Sequence, residues 1–200
     1  MSLFKKFFRK DSKQDTLNPE YPQINPNTIF GCFVSHFMVI TGLLADSQFS
    51  KSPVMTELFA AMMSTLEFVS SYYDIDIDDD RSEIIKWFLS PFSALPKNEF
   101  KQLTVKTDER LNFYRSRATL GNVRGDFLLD DIPTAKREWP PYRCSVIFCD
   151  CIYNPECLSD YDNAPVMIND IFNSVEQVSL FITIIREFEN YTQKLKTFDM

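Results

Sequence analysis

The sequence predicts an all-α protein, a single irregular bundle of about five to seven helices. Three observations support that fold class. The 200 residues include only 4 glycines, so few positions suit the positive φ angles of tight β-hairpins. Apolar residues recur at helical spacing, and prolines stand where these runs begin or end. With 44% hydrophobic and 24% charged residues, the composition is that of a globular domain with a sizeable core.

The first long apolar run extends from Thr28 to Ala45 and contains no Asp, Glu, Lys or Arg over 18 residues. Asn27 or Thr28 is a suitable N-cap for a helix beginning there. We interpret the run as a helix buried on all sides at the centre of the bundle. Two alternatives stay open from the sequence, a membrane span of minimum length and a signal segment, although the polar leader before the run is long for a signal.

Two more helices are predicted in the following stretch. Pro53 suits the first turn of a long helix over Val54–Tyr73, whose apolar residues repeat at helical spacing. An acidic segment follows, and Asp80 with Glu83 fits a capping box that opens a helix over Arg81–Leu89.

The C-terminal half contains three further elements. A helix is predicted from Pro96 to about Ala118. The short apolar segment Cys144–Tyr153 suits either a helix or a strand. A long apolar stripe then predicts a last helix from Pro165 to about Lys196.

The N-terminus differs from the rest of the chain. We divide the chain into a basic amphipathic segment with a proline-containing linker, residues 1–24, and a helical domain, residues 25–200. Residues 2–10 are predicted to form a short helix with an apolar, mainly aromatic face and a cationic face, which suits contact with an anionic membrane surface or a partner groove. Packing of its aromatic face on the domain is the alternative. The candidate contact residues are Phe4, Lys5, Lys6, Phe7, Phe8, Arg9 and Lys10.

Net charge limits the class of partner. The chain carries −7, and because its first 13 residues carry +4, the remaining 187 carry −11. Nucleic acid is excluded as the expected partner, because phosphate binding requires clustered Lys and Arg. An acidic surface instead favours a basic partner protein.

The five cysteines indicate a reducing compartment. An odd number, with four crowded into Cys144, Cys149, Cys151 and Cys157, is not a secreted disulfide framework, so we expect free thiols and a cytoplasmic protein. Zinc binding by these four is an alternative, although the spacing lacks the paired Cys-x2–4-Cys motif. Cys32 and the single histidine, His36, are four residues apart and share a helix face, which allows a thiol–imidazole pair or an ordinary core histidine.

Clustered aspartates between residues 74 and 80 raise the question of a cation site. Asp74, Asp76 and Asp78 have the first three ligand positions of a calcium loop, but the sixth position is Asp79 instead of Gly and the twelfth is Ile85 instead of Glu. An EF-hand is therefore rejected. A looser divalent-cation site and a solvated acidic loop both remain.

Three short stretches, 19 residues in all, stand in a meaningful order: Asp79–Glu83, Arg117–Gly121 and Asn169–Gln177. They resemble the aspartate-rich motif, the pyrophosphate-sensing arginine segment and the second metal motif of class I terpene synthases, which are all-α. The resemblance implies a magnesium-dependent enzyme acting on a pyrophosphate substrate. Asn173 stands where that family has a hydroxyl residue and Gln177 where it has an acidic one, and the chain is much shorter than the family's helical barrel. The implied Mg²⁺ ligands are Asp79, Asp80, Glu83, Asn169 and Asp170, with Arg117 at the pyrophosphate.

The leading functional hypothesis is a non-catalytic protein-binding module of the immunity-protein, inhibitor or adaptor type, with no cofactor. Tyr72, Tyr73, Trp87 and Trp139 lie near charges and are candidate anchors for a partner. The magnesium-dependent enzyme and a membrane-surface-associated helical protein are the alternatives.

Overall fold

The computed structural model describes residues 25–45, 52–119, 134–158, 161 and 175–198. This part of the chain is an all-α bundle, as predicted, and contains six helices of twelve residues or more. Single helical turns cover Ser90–Phe92, Thr134–Arg137, Pro155–Leu158 and Lys196–Phe198. The six helices are α1 (Ile29–Ala45), α2 (Ser52–Tyr73), α3 (Asp78–Leu89), α4 (Lys97–Thr119), α5 (Pro140–Tyr153) and α6 (Val175–Leu195).

The centre of the bundle is α2, not α1 as the sequence had suggested. Helix α2 packs against α1, α4, α5 and α6, and every residue from Thr56 to Leu66 is buried. Helix α1 packs against α6, α3 and α2, and its Val39 and Gly42 are exposed. The absence of charge in α1 did not distinguish full burial from this arrangement, because the two residues that face solvent, Val39 and Gly42, are uncharged.

Helix α1 begins where its predicted cap places it. The Gly31 backbone N–H donates to Thr28 Oγ1 at 3.0 Å, so Thr28 is the N-cap. Helices α1 and α6 run antiparallel, because His36 contacts Glu187 while Asn27, nine residues earlier, contacts Lys194, seven residues later. Among the described residues, no helix combines the length and the apolar character needed to cross a membrane.

The predicted boundaries hold for several of the other helices. Pro53 lies in the first turn of α2, and α4 begins directly after Pro96. The ambiguous segment Cys144–Tyr153 is helical, and all of its residues are buried in α5. The last helix is described from Val175 onwards, so its predicted beginning at Pro165 lies outside the described residues.

The predicted capping box at the start of α3 is wrong. The helix begins at Asp78, Ile77 is the N-cap, and no side chain caps it there. Asp80 instead accepts a hydrogen bond from the Phe30 backbone N–H at 3.0 Å, and so it satisfies a free donor at the start of α1. The sequence pattern thus predicted that Asp80 caps its own helix, α3, whereas it caps α1. Its partner lies 50 residues away in the chain, where a local pattern gives no signal.

Aromatic residues form much of the core. Phe59 of α2 stacks on Phe88 of α3 with ring centroids 4.0 Å apart. Phe33 and Phe37 of α1 pack edge-on against Trp87, at 6.3 and 5.3 Å. These contacts join α1, α2 and α3.

Several predictions fall outside the described residues. They concern the amphipathic segment with its contact residues 4–10, the domain boundary at residue 24, and the magnesium ligands Asn169 and Asp170. They stay predictions.

Candidate functional site: an aromatic cleft beside an acidic edge

The end of α2 is shaped by a tight helix stop. Asp74 has a φ of 55°, a left-handed conformation that Asp adopts more readily than most residues. The Ile75 N–H then donates to the Ser70 carbonyl at 2.9 Å, which is the bond pattern of a Schellman motif. This stop leaves Tyr72 and Tyr73 on the last turn of α2, directly before the acidic segment.

Trp139 is placed by the two prolines that follow it. It is the N-cap of α5, and its φ of −70° and ψ of 117° are the extended conformation that a residue before proline prefers. Its ring meets the Tyr72 ring edge-on at 4.9 Å, and Tyr72 meets Tyr73 at the same distance. Three of the four aromatic anchors suggested by the sequence therefore lie together, while Trp87 packs between α1 and α3.

These rings form one wall of a cleft with a volume of about 500 Å³. This volume lies within the range of small-ligand sites. We call it the aromatic cleft, and its principal lining residues are Tyr72, Tyr73, Lys136, Trp139, Tyr142 and Lys196.

Both lysines of the cleft lie over aromatic rings. The Lys196 ammonium is 5.7 Å from the Tyr73 ring centroid and 5.9 Å from that of Trp139. The Lys136 ammonium is 5.6 Å from the Tyr142 centroid and also forms an ion pair with Glu189. The cleft therefore offers π faces that already hold cations.

An acidic edge continues from the cleft along the chain. It consists of exposed carboxylates in the turn after α2 and in the first two turns of α3. These are Asp74, Asp76, Asp78, Asp79 and Glu83.

Two of the residues proposed for the magnesium-dependent reaction, Asp80 and Arg117, have other contacts in the structure. Asp80 caps α1, whereas Asp79 and Glu83 are exposed on α3. Arg117 lies near the end of α4, with its guanidinium carbon 5.7 Å from the Tyr161 ring centroid. Within the described ranges, no three His, Cys, Asp or Glu side chains are grouped so as to hold a metal ion. Because Asn169 and Asp170 are outside those ranges, the alternative magnesium site stays a prediction.

The five cysteines, all among the described residues, are buried and form no disulfide, as expected for reduced thiols. Burial raises the pKa of Cys32 and of Cys144 to about 12, and it raises the pKa of Cys149 and Cys151 well above the ordinary value. Cys149 and Cys151 lie on one helix, two residues apart, so their side chains point in nearly opposite directions. Protonated, buried thiols are unsuited to nucleophilic attack.

His36 is paired with a carboxylate of another helix. Its Nδ1 is 2.6 Å from Glu187 Oε1, and the Asn190 amide donates to the other oxygen of Glu187 at 3.1 Å. This arrangement joins α1 to α6. The structure thus gives the histidine a carboxylate partner, whereas the four-residue spacing had left open a thiol–imidazole pair or an ordinary core histidine.

A buried ion pair between α2 and α4 was not anticipated. Arg110 donates from Nη2 to Glu57 Oε2 at 2.7 Å, and its Nε lies 2.7 Å from Oε1. The Tyr114 hydroxyl donates to the same carboxylate at 3.1 Å. Burial alone would lower the pKa of Arg110, but the charge and hydrogen bond of Glu57 raise it above its ordinary value. One signal was available, because Glu57 is the only charged residue between Pro53 and Leu66.

Comparison with known proteins adds no identification: no family model, no curated protein and no solved structure matches the chain.

Proposed function

We propose that this protein is a non-catalytic protein-binding module that presents the acidic edge and the rings of the aromatic cleft to a basic partner protein. One observation carries the proposal. Tyr72 is 69% exposed although its ring packs against Trp139 and Tyr73, and the acidic edge begins two residues later.

The residue types at this surface are those that dominate binding energy in protein interfaces. Tyrosine and tryptophan are enriched among interface hot spots, and a rim of polar residues commonly surrounds them. Helix packing limits the movement of Tyr73 and Trp139, so ordering them on binding costs less conformational entropy than ordering a loop.

Charge supports the choice of a basic partner. The whole chain carries −7, and the exposed carboxylates of the acidic edge begin two residues after Tyr72 in the chain. Such a surface accelerates encounter with a positively charged protein, and this acceleration weakens as salt is added.

We place this function in the cytoplasm. The support is chemical, because none of the five cysteines, all of which the structure describes, forms a disulfide, and thiols persist in a reducing compartment.

A photo-crosslinking experiment tests the proposal. A benzophenone amino acid replaces Tyr72 in the full chain expressed in its native host, and crosslinked proteins are identified by mass spectrometry. The matched control carries the same group at Val105, which is 48% exposed on α4 and away from the cleft. We expect a basic protein crosslinked at position 72 and absent at position 105.

Direct binding with purified components then decides the outcome. We expect the captured protein to bind the purified chain, and the double variant Asp74→Asn, Asp76→Asn to bind at least several-fold more weakly at low salt. The proposal would be contradicted by equal capture at both positions or by no capture at position 72. It would also be contradicted if the double variant bound the captured protein as tightly as the unchanged chain does.

A further inference from the structure

We infer that the aromatic cleft is a binding site for a cationic side chain, lysine or arginine, of the partner protein, and that Lys196 occupies this site when the partner is absent. The inference rests on the proposed function and adds the chemistry by which the partner is recognised.

The geometry of the three rings is that of a partial cage. Tyr72 and Tyr73 come from the end of α2 and Trp139 from the start of α5, and the two ring contacts that join them are edge-on at 4.9 Å. The electron-rich faces that remain free attract a cation within about 6 Å of a ring centroid. Lys196 lies within that distance of two of them, at 5.7 and 5.9 Å. The chain itself thus shows which class of ligand the rings accept.

Charges around the cage also favour a cation. Lys136, the other ammonium at the cleft, is paired with Glu189. Asp74 follows Tyr73 in the chain and Glu138 precedes Trp139, and both of these carboxylates are exposed. Because Lys136 is paired with Glu189, an incoming lysine or arginine that replaces the Lys196 ammonium restores the charge that the rings hold now, and exposed carboxylates neighbour Tyr73 and Trp139 in the chain.

Lys196 is suited to act as a replaceable occupant. It belongs to the single helical turn Lys196–Phe198 that follows α6, and its ammonium reaches the rings through a flexible four-carbon stem. An internal occupant competes with the external cation. The apparent affinity for that cation is therefore the intrinsic affinity multiplied by the fraction of molecules in which the site is empty. Removing the charge of residue 196 should therefore strengthen cation binding.

The test uses the two tryptophans of the chain as reporters. The indole N–H signals of the ¹⁵N-labelled full chain are followed by NMR during titration with tetramethylammonium chloride. Separate titrations with sodium chloride and with sodium benzoate control for ionic strength and for anion binding. Trp139→Phe assigns the two signals. Trp87, packed against Phe37 with ring centroids 5.3 Å apart, is the internal control that should not move.

We expect tetramethylammonium to shift the Trp139 signal saturably, whereas neither sodium salt does so. In Lys196→Met, which keeps most of the stem and removes the charge, the dissociation constant should fall at least about 2- to 5-fold, the range expected for a cation–π interaction at an exposed site. Tyr73→Leu should weaken the same binding, while an unchanged Trp87 signal shows that each variant is folded.

Three results would overturn the inference: no shift of Trp139 by the cation, an unchanged or weaker dissociation constant in Lys196→Met, or a saturable shift by benzoate that Lys196→Met abolishes. The last result would identify an anion site instead. This titration uses no partner protein, and the crosslinking at position 72 uses no added cation. A failure of the cation-site inference can therefore be distinguished from a failure of the proposed function.

Discussion

Individual residues around the start of α1 show how few atoms set a helix boundary. Thr28 caps the helix from its own N-terminus, and Asp80 adds a second acceptor from α3. Gly31, in the first turn, allows the chain before the helix to fold back closely. A Cβ at position 31 would lie 1.9 Å from the Asn25 carbonyl oxygen, well inside contact distance.

Gly31→Ala should therefore destabilise the protein, by about 1–3 kcal/mol, the range for forced overpacking. Gly42→Ala is the matched control on the same helix, because a Cβ there meets nothing within 4 Å. The control should stabilise by about 0.5–1 kcal/mol, since alanine loses less backbone entropy than glycine in a helix interior. Urea unfolding of both variants measures the difference, and equal effects at the two positions would contradict the close approach.

Pairs of helices are joined by ion pairs that differ in burial. Glu57 and Arg110, between α2 and α4, are nearly inaccessible, with side chains 2% and 11% exposed. Glu67, also on α2, binds Arg115 of α4 and Arg81 of α3 at the bundle surface. Because solvent screens the second group, the two pairs should contribute differently to stability.

A double-mutant cycle on Glu57 and Arg110 tests this difference. Glu57→Met or Arg110→Met alone strands a buried charge and should cost about 3–5 kcal/mol, whereas the double methionine variant should cost much less than the sum. The same cycle on Glu67 and Arg115 should give a coupling below about 1 kcal/mol that falls with added salt. Urea unfolding at neutral pH supplies the free energies. Additive single effects at Glu57 and Arg110 would show that the pair is not coupled.

At the scale of the whole molecule, buried acids make the fold sensitive to alkali. Burial raises the pKa of the thiols of α1 and α5, and also that of the Tyr114 and Tyr191 hydroxyls, well above their ordinary values. In the unfolded chain these groups ionise near their ordinary values. Above about pH 9 the unfolded state therefore binds fewer protons than the folded state, so stability falls as pH rises.

We expect stability to be unaffected by these groups below about pH 9 and to be lost as pH rises towards 12, with each unit of raised pKa worth about 1.4 kcal/mol. Urea midpoints measured from neutral to alkaline pH check the slope. Cys144→Ala should make that slope shallower by the contribution of one thiol. A midpoint that stays constant up to about pH 11 would contradict the burial of the thiols and phenols.

Local sequence determined the fold class and several boundaries of this protein. Few glycines, the helical spacing of apolar residues, and the positions of Pro53 and Pro96 predict helices, because helix formation depends on contacts between residues three or four apart. The Thr28 cap was predictable for the same reason.

Tertiary structure alone decided the central helix and the candidate site. Asp80 caps a helix 50 residues away, and Arg110 meets Glu57 across 53 residues. Tyr72, Tyr73 and Trp139 were named as anchors from their residue types, but their meeting in one cleft depends on how α2, α5 and α6 pack. Spacing along the chain carries no information about such pairs, because packing of distant helices brings them together and no local hydrogen bond or helix propensity does.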